Sequence, residues 1–219
     1  QRCQLELTGA DVSLAALFDP AQRIAAGPVR RRDLLRLYPY DNSLGVVELS
    51  GADLKATLEH AASMLNDYAW DGITPVLRAD VPGFQFDAAY GVQYEIDLTR
   101  PAGSRVVNLR FKGQPLAPEA RLKVAANSYR LAGGGDYLAL RRARRTGPQP
   151  DGVMPDLLAG WARSRGTLTA ETEASWTLLP DYAGTPERPL VDRLVRLGVA
   201  PRAEVMRLGA SRPARQVDL

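Results

Sequence analysis

The residues best suited to ligand chemistry lie near the middle of the chain, where residues 127–137 have the sequence NSYRLAGGGDY. A glycine run that includes Gly133 and Gly134 lets the backbone come close to a ligand, because glycine carries no side chain. Tyr129 offers a flat ring for a base, and Asp136 offers an acceptor for hydroxyl or amine groups. The alternative interpretation is a mobile glycine-rich loop beside a core tyrosine.

A second candidate segment is YPYDN at residues 38–42, a proline turn between a predicted helix and a predicted strand. There Tyr40 presents a ring, and Asn42 presents both a donor and an acceptor. Loops on a rigid scaffold often carry binding residues, although a turn that packs two tyrosines is the simpler alternative. Two rings on opposite faces of a base contribute about 1 to 3 kcal/mol each, and Tyr40 and Tyr129 are the candidates.

Residues for covalent or metal chemistry are nearly absent. His60 is the only histidine and Cys3 the only cysteine, so no pair has metal-ligand spacing and no intrachain disulfide can form. The chain also lacks a Gly-x-Ser-x-Gly elbow, a Walker loop and a Gly-x-Gly-x-x-Gly motif after a strand. His60 lies in a predicted helix, where a surface or half-buried role is more typical than ligation. We therefore predict no catalytic residue, metal or cofactor in this chain.

Composition predicts a globular protein with a mild positive charge. The 219 residues are 45% hydrophobic, and the net charge is +3. Of the 28 basic residues 25 are arginines, which suit phosphate, although for the scattered arginines a compositional bias of the genome is the preferred explanation. The arginine clusters at 30–32 and 141–145 lack interleaved aromatic residues, which argues against nucleic acid as a partner.

The sequence does not predict a membrane association. No run of about 18 apolar residues exists, which argues against a membrane span. The first residues have neither a start methionine nor the apolar stretch of a signal peptide, so we expect a fragment or a processed product.

Hydrophobic periodicity predicts the elements that must position these residues. The predicted helices span residues 30–37, 53–66, 154–163 and 189–197. The predicted strands span 10–17, 44–49, 92–98, 106–112, 122–126 and 176–179, with the strands from 92 to 126 forming an antiparallel meander. Residues 67–83 form a long ordered loop, for which Phe84 and Phe86 act as hydrophobic anchors.

The fold class predicted from these elements is α+β, with a mixed, mostly antiparallel sheet and packed helices. Residues 1–179 form a substrate-binding domain. From residue 180 the composition shifts to proline, glycine and arginine, so 180–219 is a C-terminal extension packed on the domain.

Six segments occur in the order typical of one family. They are ADVSLA at 10–15, LYPYDN at 37–42, SGADLK at 50–55, FD at 86–87, GVQYEID at 91–97 and NSYR at 127–130. Together they resemble the C-terminal domain of the 5′-nucleotidase family. Within it the chain is most similar to the bacterial 2′,3′-cyclic-nucleotide 2′-phosphodiesterase / 3′-nucleotidase branch, and tyrosine at both ring positions agrees with that branch.

The resemblance implies a periplasmic or secreted two-domain enzyme. A separate N-terminal metallophosphoesterase domain would hold two divalent metal ions and a catalytic His-Asp arrangement, while this domain would clamp the nucleoside and carry it to the metals by rotation. The implied substrate residues are Tyr40, Asn42, Tyr129, Gly133, Gly134, Asp136 and Arg23. Residues 19–22 depart from the glycine- and alanine-rich stretch expected before Arg23.

Three functions remain open at this stage. The first is the nucleotide specificity domain of such a phosphoesterase, with a 5′-nucleotidase of the same family as a variant. The second is a stand-alone nucleotide-binding module without catalysis. The third, nucleic-acid binding through arginine clusters, would require salt-sensitive binding to an oligonucleotide.

Overall fold

The computed structural model describes residues 1–16, 18, 24–68, 78, 80–169 and 175–179. The helices are α1 Arg2–Thr8, α2 Arg31–Leu37, α3 Gly51–Ala62, α4 Ser128–Leu131, α5 Leu138–Arg142 and α6 Met154–Arg165. The strands are β1 Val12–Ala16, β2 Leu44–Ser50, β3 Asp87–Tyr90, β4 Val92–Asp97, β5 Val106–Phe111, β6 Gln114–Pro115, β7 Arg121–Asn127, β8 Arg144–Arg145 and β9 Trp176–Leu179. Single 3₁₀ turns occupy Gly83–Gln85 and Gly134–Asp136.

The strands divide between two mixed sheets. The first has the order β3-β1-β7-β2-β8, in which only β1 and β7 are parallel neighbours. The second has the order β6-β5-β4-β9, in which only β4 and β9 run parallel. The predicted α+β class with mostly antiparallel pairing is confirmed.

The predicted meander is wrong in its last strand. β4 and β5 pair as expected, but β7 leaves their sheet and lies between β1 and β2 in the other one. The physical reason is burial: Val124, Ala125 and Ala126 are fully buried in β7, which suits a central strand covered on both faces. The short helix α1 and the strand β3 were not predicted.

The start of α3 follows from its sequence. The hydroxyl of Ser50 accepts a hydrogen bond from the Asp53 amide at 3.0 Å, and the Asp53 carboxylate accepts one from the Ser50 amide at 3.4 Å. This reciprocal pair satisfies two backbone donors that the helix itself leaves free. The predicted helix is confirmed, although it begins at Gly51 and ends at Ala62.

One hydrophobic core joins the two sheets through α3. The helix buries Leu54 and Leu58 in a cluster that includes Val47 of the first sheet and Ile96 of the second. α3 also contacts strands of both sheets. Burying such aliphatic side chains contributes about 1.5 to 3 kcal/mol each, so α3 fixes the sheets relative to each other.

Two buried charged residues connect α3 to the second sheet. The Glu59 carboxylate accepts hydrogen bonds from the backbone amides of Arg105 at 2.9 Å and Val106 at 2.8 Å. The Arg105 guanidinium is 1% exposed and donates to the carbonyls of Ala62 and Leu65, both at 2.8 Å. Arg105 thus donates to the carbonyl of Ala62, the last residue of α3, where the helix itself leaves carbonyls free, and to that of Leu65 just beyond it.

Several predictions fall beyond the described residues. The C-terminal extension at 180–219, its helix at 189–197 and Arg23 all lie there, and the division at residue 179 stays a prediction. The helix at 154–163 is confirmed and extends to Arg165, and the strand at 176–179 is confirmed. Within the described residues, no helix combines the length and apolar character that crossing a bilayer requires.

Candidate functional site

The two candidate segments meet at one end of the first sheet. Because β2 and β7 are antiparallel, the beginning of β2 lies beside the end of β7, and Leu44 faces Asn127 in the register. The pairing continues past the strands, since the Ser128 amide donates to the Ser43 carbonyl at 2.8 Å. The structure therefore places Tyr40 and Asn42, just before β2, at the same end as Tyr129, just after β7.

The candidate ring residues are on the surface. Tyr40 and Tyr129 are each 45% exposed, and they are the only aromatic residues among the exposed large hydrophobic side chains of the described part. By contrast, Tyr38 is 7% exposed and Tyr137 is 2% exposed. Each candidate segment thus contains one buried tyrosine that anchors it and one exposed tyrosine whose ring is available for stacking.

The 38–42 turn is fixed through its buried tyrosine. The Asn127 side-chain amide donates to the Tyr38 hydroxyl at 2.9 Å, and the Asn42 side chain also hydrogen-bonds that hydroxyl. Burial raises the pKa of Tyr38, so it stays a neutral phenol. Asn42 is half-buried, and its backbone carbonyl accepts a hydrogen bond from the Met154 amide at 2.7 Å. Asn42 therefore fixes the turn, and its side-chain amide is already engaged in a hydrogen bond with Tyr38.

Phe18 is an aromatic support that sequence reasoning missed. Its ring centroid lies 5.0 Å from that of Tyr40 and 4.8 Å from that of Tyr38, with steep interplanar angles of 62° and 76°. Such edge contacts are favourable arrangements for aromatic pairs. The Tyr40 ring is thereby supported on its scaffold side and still exposed to solvent.

The Tyr129 ring rests on the glycine-rich loop. A Cβ atom added at Gly134 would lie 2.4 Å from two carbons of that ring, so no other residue type fits there without displacing it. Gly133 makes a similar approach to the methylene groups of Arg141, with its added Cβ 2.9 Å from Cδ. The two glycines therefore come close to the side chains of Tyr129 and Arg141.

The backbone of this loop is left-handed at three positions. Gly133, Gly135 and Asp136 have φ values of 92°, 71° and 64°. Glycine adopts such values freely, whereas for Asp136 they are uncommon. The Asp136 side chain is exposed and makes no hydrogen bond within the part of the chain that the structure describes. Its carboxylate is therefore open to a ligand.

A buried ion pair holds the loop against the domain. The Arg130 Nε donates to Asp87 Oδ2 at 2.9 Å, and its Nη2 donates to Asp87 Oδ1 at 3.0 Å. Arg130 also donates to the carbonyls of Gly134 at 3.0 Å and Phe84 at 2.7 Å. Burial alone would lower the pKa of Arg130, and the hydrogen bonds with Asp87 raise it instead. Arg130 remains a cation in the fold.

The same guanidinium lies against two rings. Its central carbon is 4.4 Å from the ring centroid of Tyr137 and 5.3 Å from that of Tyr129. The Tyr137 hydroxyl in turn donates to the Gln85 carbonyl at 2.8 Å and accepts from the Asp87 amide at 3.2 Å. Arg130 therefore links the loop, the exposed ring and the segment around Asp87.

The Arg130–Asp87 pairing was missed from sequence, although both residues belong to segments that carry the family resemblance. The available signal was a carboxylate within an otherwise apolar short segment, FDAAY at 86–90, which predicts a buried and therefore paired charge. Phe86 is buried in the core, since it is 5% exposed and its ring centroid lies 5.5 Å from that of Trp176. Most of the 67–83 loop that it was expected to anchor lies outside the described residues, so that part stays a prediction.

Both candidate rings lie on the surface of the described part of the chain. A cavity of about 350 Å³ does occur nearby, lined by residues that include Phe18, Tyr38 and Trp176, but neither Tyr40 nor Tyr129 lines it. Among the described residues, no group of three or more His, Cys, Asp and Glu side chains is arranged to hold a metal ion. The arrangement supplies two stacking rings, an open carboxylate and a rigid backbone.

Comparison with known proteins identifies the family. Residues 1–142 match the 5′-nucleotidase C-terminal domain family, and the chain belongs to that family. The resemblance inferred from the six segments is confirmed.

Individual relatives are longer enzymes. A 2′,3′-cyclic-nucleotide 2′-phosphodiesterase/3′-nucleotidase from Salmonella typhimurium is 30% identical over 188 residues, which are 76% of this chain and 29% of that protein. The trifunctional nucleotide phosphoesterase protein YfkN of Bacillus subtilis is 34% identical over 128 residues, covering 52% of this chain and 9% of YfkN. The chain thus spans less than a third of either relative.

The fold agrees with solved structures. A Staphylococcus aureus protein described as a 5′-nucleotidase superposes with a TM-score of 0.68 at 27% identity, covering 80% of this chain and 34% of the other. The two mixed sheets and packed helices are therefore the fold of this family's C-terminal domain.

Proposed function

We propose that this chain is the nucleotide-binding domain of a phosphoester hydrolase, and that it holds the base of its substrate between Tyr40 and Tyr129. The observation that carries the proposal is the placement of two 45% exposed tyrosines at one end of the β2–β7 pair. Single exposed aromatic side chains are common on protein surfaces, but two that lie at the same end of a strand pair can stack on the two faces of one base.

Each component has a separate role. The two rings stack on the base, which is favourable by about 1 to 3 kcal/mol per ring. Asp136 accepts hydrogen bonds from the ribose hydroxyl groups, and Asn42 keeps the 38–42 turn in place. Gly134 seats the Tyr129 ring, while Gly133 lies against the Arg141 side chain. Arg23, which lies outside the described residues, would contact the substrate near the phosphate.

Catalysis is assigned to the rest of a longer polypeptide. We propose an N-terminal metallophosphoesterase domain with two divalent metal ions, which would activate water and stabilise charge on the phosphate. This chain contributes the positioning of the nucleoside, which is worth several kcal/mol of a barrier when the reacting groups are held well. The relatives' names support a 2′,3′-cyclic-nucleotide 2′-phosphodiesterase/3′-nucleotidase, with a 5′-nucleotidase as the second candidate. A periplasmic or secreted location is proposed from the family resemblance alone.

A titration of the chain with 3′-AMP in metal-free buffer tests the base clamp. We expect saturable binding with Kd on the order of 1 mM, or about −4 kcal/mol. Chemical-shift changes in NMR spectra monitor this binding. Tyr40→Ala and Tyr129→Ala should each abolish measurable binding. The matched controls Tyr40→Phe and Tyr129→Phe retain the rings and should bind within about threefold of the wild type, because stacking needs only the ring.

The outcomes separate the proposals. Folded alanine variants that bind as well as the wild type would refute the clamp. Absence of binding by the wild type would refute a self-sufficient nucleotide site on this chain. To distinguish the two candidate activities, the full-length protein should be assayed with 2′,3′-cyclic AMP, 3′-AMP and 5′-AMP. Hydrolysis of 5′-AMP alone would exclude the cyclic-nucleotide assignment.

A further inference from the structure

We infer that His60 is a positioning residue for the base clamp, acting on Tyr129 through a hydrogen bond to the backbone of the glycine-rich loop. The inference rests on the proposed function for its connection to nucleotide binding. His60 lies on α3 and is half-buried, while the opposite face of this helix packs in the core.

The contact is short and directional. The His60 Nε2 atom lies 2.7 Å from the carbonyl oxygen of Gly135, and the imidazole ring meets the Tyr137 ring edge-on with centroids 4.7 Å apart. A carbonyl oxygen only accepts hydrogen bonds, so Nε2 must carry the proton. The geometry therefore assigns the Nε2–H form to neutral His60.

His60 and Arg130 hold consecutive carbonyls of the loop. Arg130 donates to the Gly134 carbonyl at 3.0 Å, while His60 reaches the next carbonyl at Gly135. Within the loop, the Asp136 amide donates to the Gly133 carbonyl at 3.0 Å. Two anchors from different parts of the fold thus define the orientation of two adjacent peptide units.

That orientation sets the position of the ring. Gly134 lies directly against Tyr129, with an added Cβ only 2.4 Å from the ring carbons. A rotation of the peptide after Gly135, whose carbonyl His60 holds, would shift the adjoining Gly134 and with it the surface on which the ring rests. Losing the His60 anchor should therefore let the Tyr129 ring sample more orientations, which weakens stacking because the bound orientation must then be selected.

The test compares two amide variants of the same residue. In His60→Gln the side-chain amide reaches the position of Nε2 and can still donate to Gly135. In His60→Asn the same amide is one methylene shorter and cannot reach. A net hydrogen-bond contribution predicts that His60→Asn binds 3′-AMP about fivefold more weakly than the wild type, whereas His60→Gln stays within about twofold.

The comparison of the two variants decides the inference. A general loss of packing would affect both variants alike, so equal weakening overturns the inference, as does wild-type affinity in both. Wild-type protein that fails to bind 3′-AMP refutes a self-sufficient nucleotide site on this chain and does not decide the positioning role. In that case the backbone amide signals of Gly135 and Asp136 and the ring signals of Tyr129 should still shift in His60→Asn and stay near wild type in His60→Gln.

A second measurement needs no variant. A long-range ¹H–¹⁵N spectrum of the wild-type chain at alkaline pH distinguishes the protonated from the unprotonated ring nitrogen of neutral histidine. We expect a protonated Nε2. A predominant Nδ1–H form would contradict the hydrogen bond to Gly135 and with it the positioning role.

Discussion

Arg130 and Asp87 form a two-hydrogen-bond ion pair with side chains that are only 3% and 2% exposed. The pair joins α4, which follows β7, to the start of β3, although the residues are 43 positions apart. Since Arg130 also holds Gly134 and lies against Tyr129 and Tyr137, a charge pair in the interior determines where an exposed ring can sit.

Breaking this pair should be strongly destabilising. Arg130→Met leaves the Asp87 carboxylate buried without its partner, and we expect a loss of about 3 to 5 kcal/mol in the free energy of unfolding. The double variant Arg130→Met/Asp87→Leu removes both charges and should recover part of that loss. Urea unfolding of the single and double variants measures both values. A single variant as stable as the wild type would contradict a structural role for the pair.

The elements of the fold that the sequence predicts are those with local causes. The Ser50–Asp53 capping pair marks the start of α3, and the alternating residues of β4 mark that strand. The positions of both elements were therefore predictable. The sheet to which β7 belongs depends on distant partners, which no local pattern specifies.

The same distinction applies to the site. Tyr129 and the glycines are adjacent in sequence, so their association was predictable. By contrast, Phe18 meets Tyr40 and Arg130 meets Asp87 only through tertiary structure. Tyr38 and Tyr40 also look equivalent in sequence, and only the folded turn shows which ring is buried.

Substitution of Gly134 tests whether the glycine-rich loop positions the Tyr129 ring. In Gly134→Ala the new methyl group would overlap the Tyr129 ring, so the ring must move. We expect a stability loss of about 1 to 3 kcal/mol, as for overpacking elsewhere, and loss of measurable 3′-AMP binding in an NMR titration.

The matched control for that substitution is Gly160→Ala on α6. No atom lies within 4 Å of the added Cβ there, and the backbone is helical. This variant should gain up to about 1 kcal/mol, because alanine favours helix over glycine, and should bind as the wild type does. Unchanged binding in Gly134→Ala would show that the loop does not position the ring.

The Cys3 thiol should react slowly in the folded protein. Burial raises its pKa to about 11, and the thiolate is the reactive form, so at pH 8 only about one molecule in a thousand carries it. We expect alkylation by iodoacetamide to be roughly 100-fold slower in native buffer than in concentrated urea. Equal rates in the two solvents would place the thiol in a solvent-exposed setting.

The same shift has a consequence for stability at high pH. The folded pKa of Cys3 lies above its ordinary value, so the folded state retains the proton that the unfolded state loses. The contribution of Cys3 to stability is therefore complete below the unfolded pKa and is lost as the pH rises through about 11. Cys3→Ala should show a smaller loss of stability than the wild type between about pH 8.5 and pH 11, measured by urea unfolding.

The proposed clamp should accept all four common bases. Stacking on Tyr40 and Tyr129 uses the flat face that every base has, and it depends little on the hydrogen-bonding edge. In NMR titrations we expect 3′-AMP, 3′-GMP, 3′-CMP and 3′-UMP to bind within about tenfold of one another, with the purines tighter because their larger rings overlap more. Tyr40→Phe and Tyr129→Phe should preserve this order. A preference of more than about 100-fold for one base, or about 2.7 kcal/mol, would require an edge contact and would contradict recognition by stacking alone.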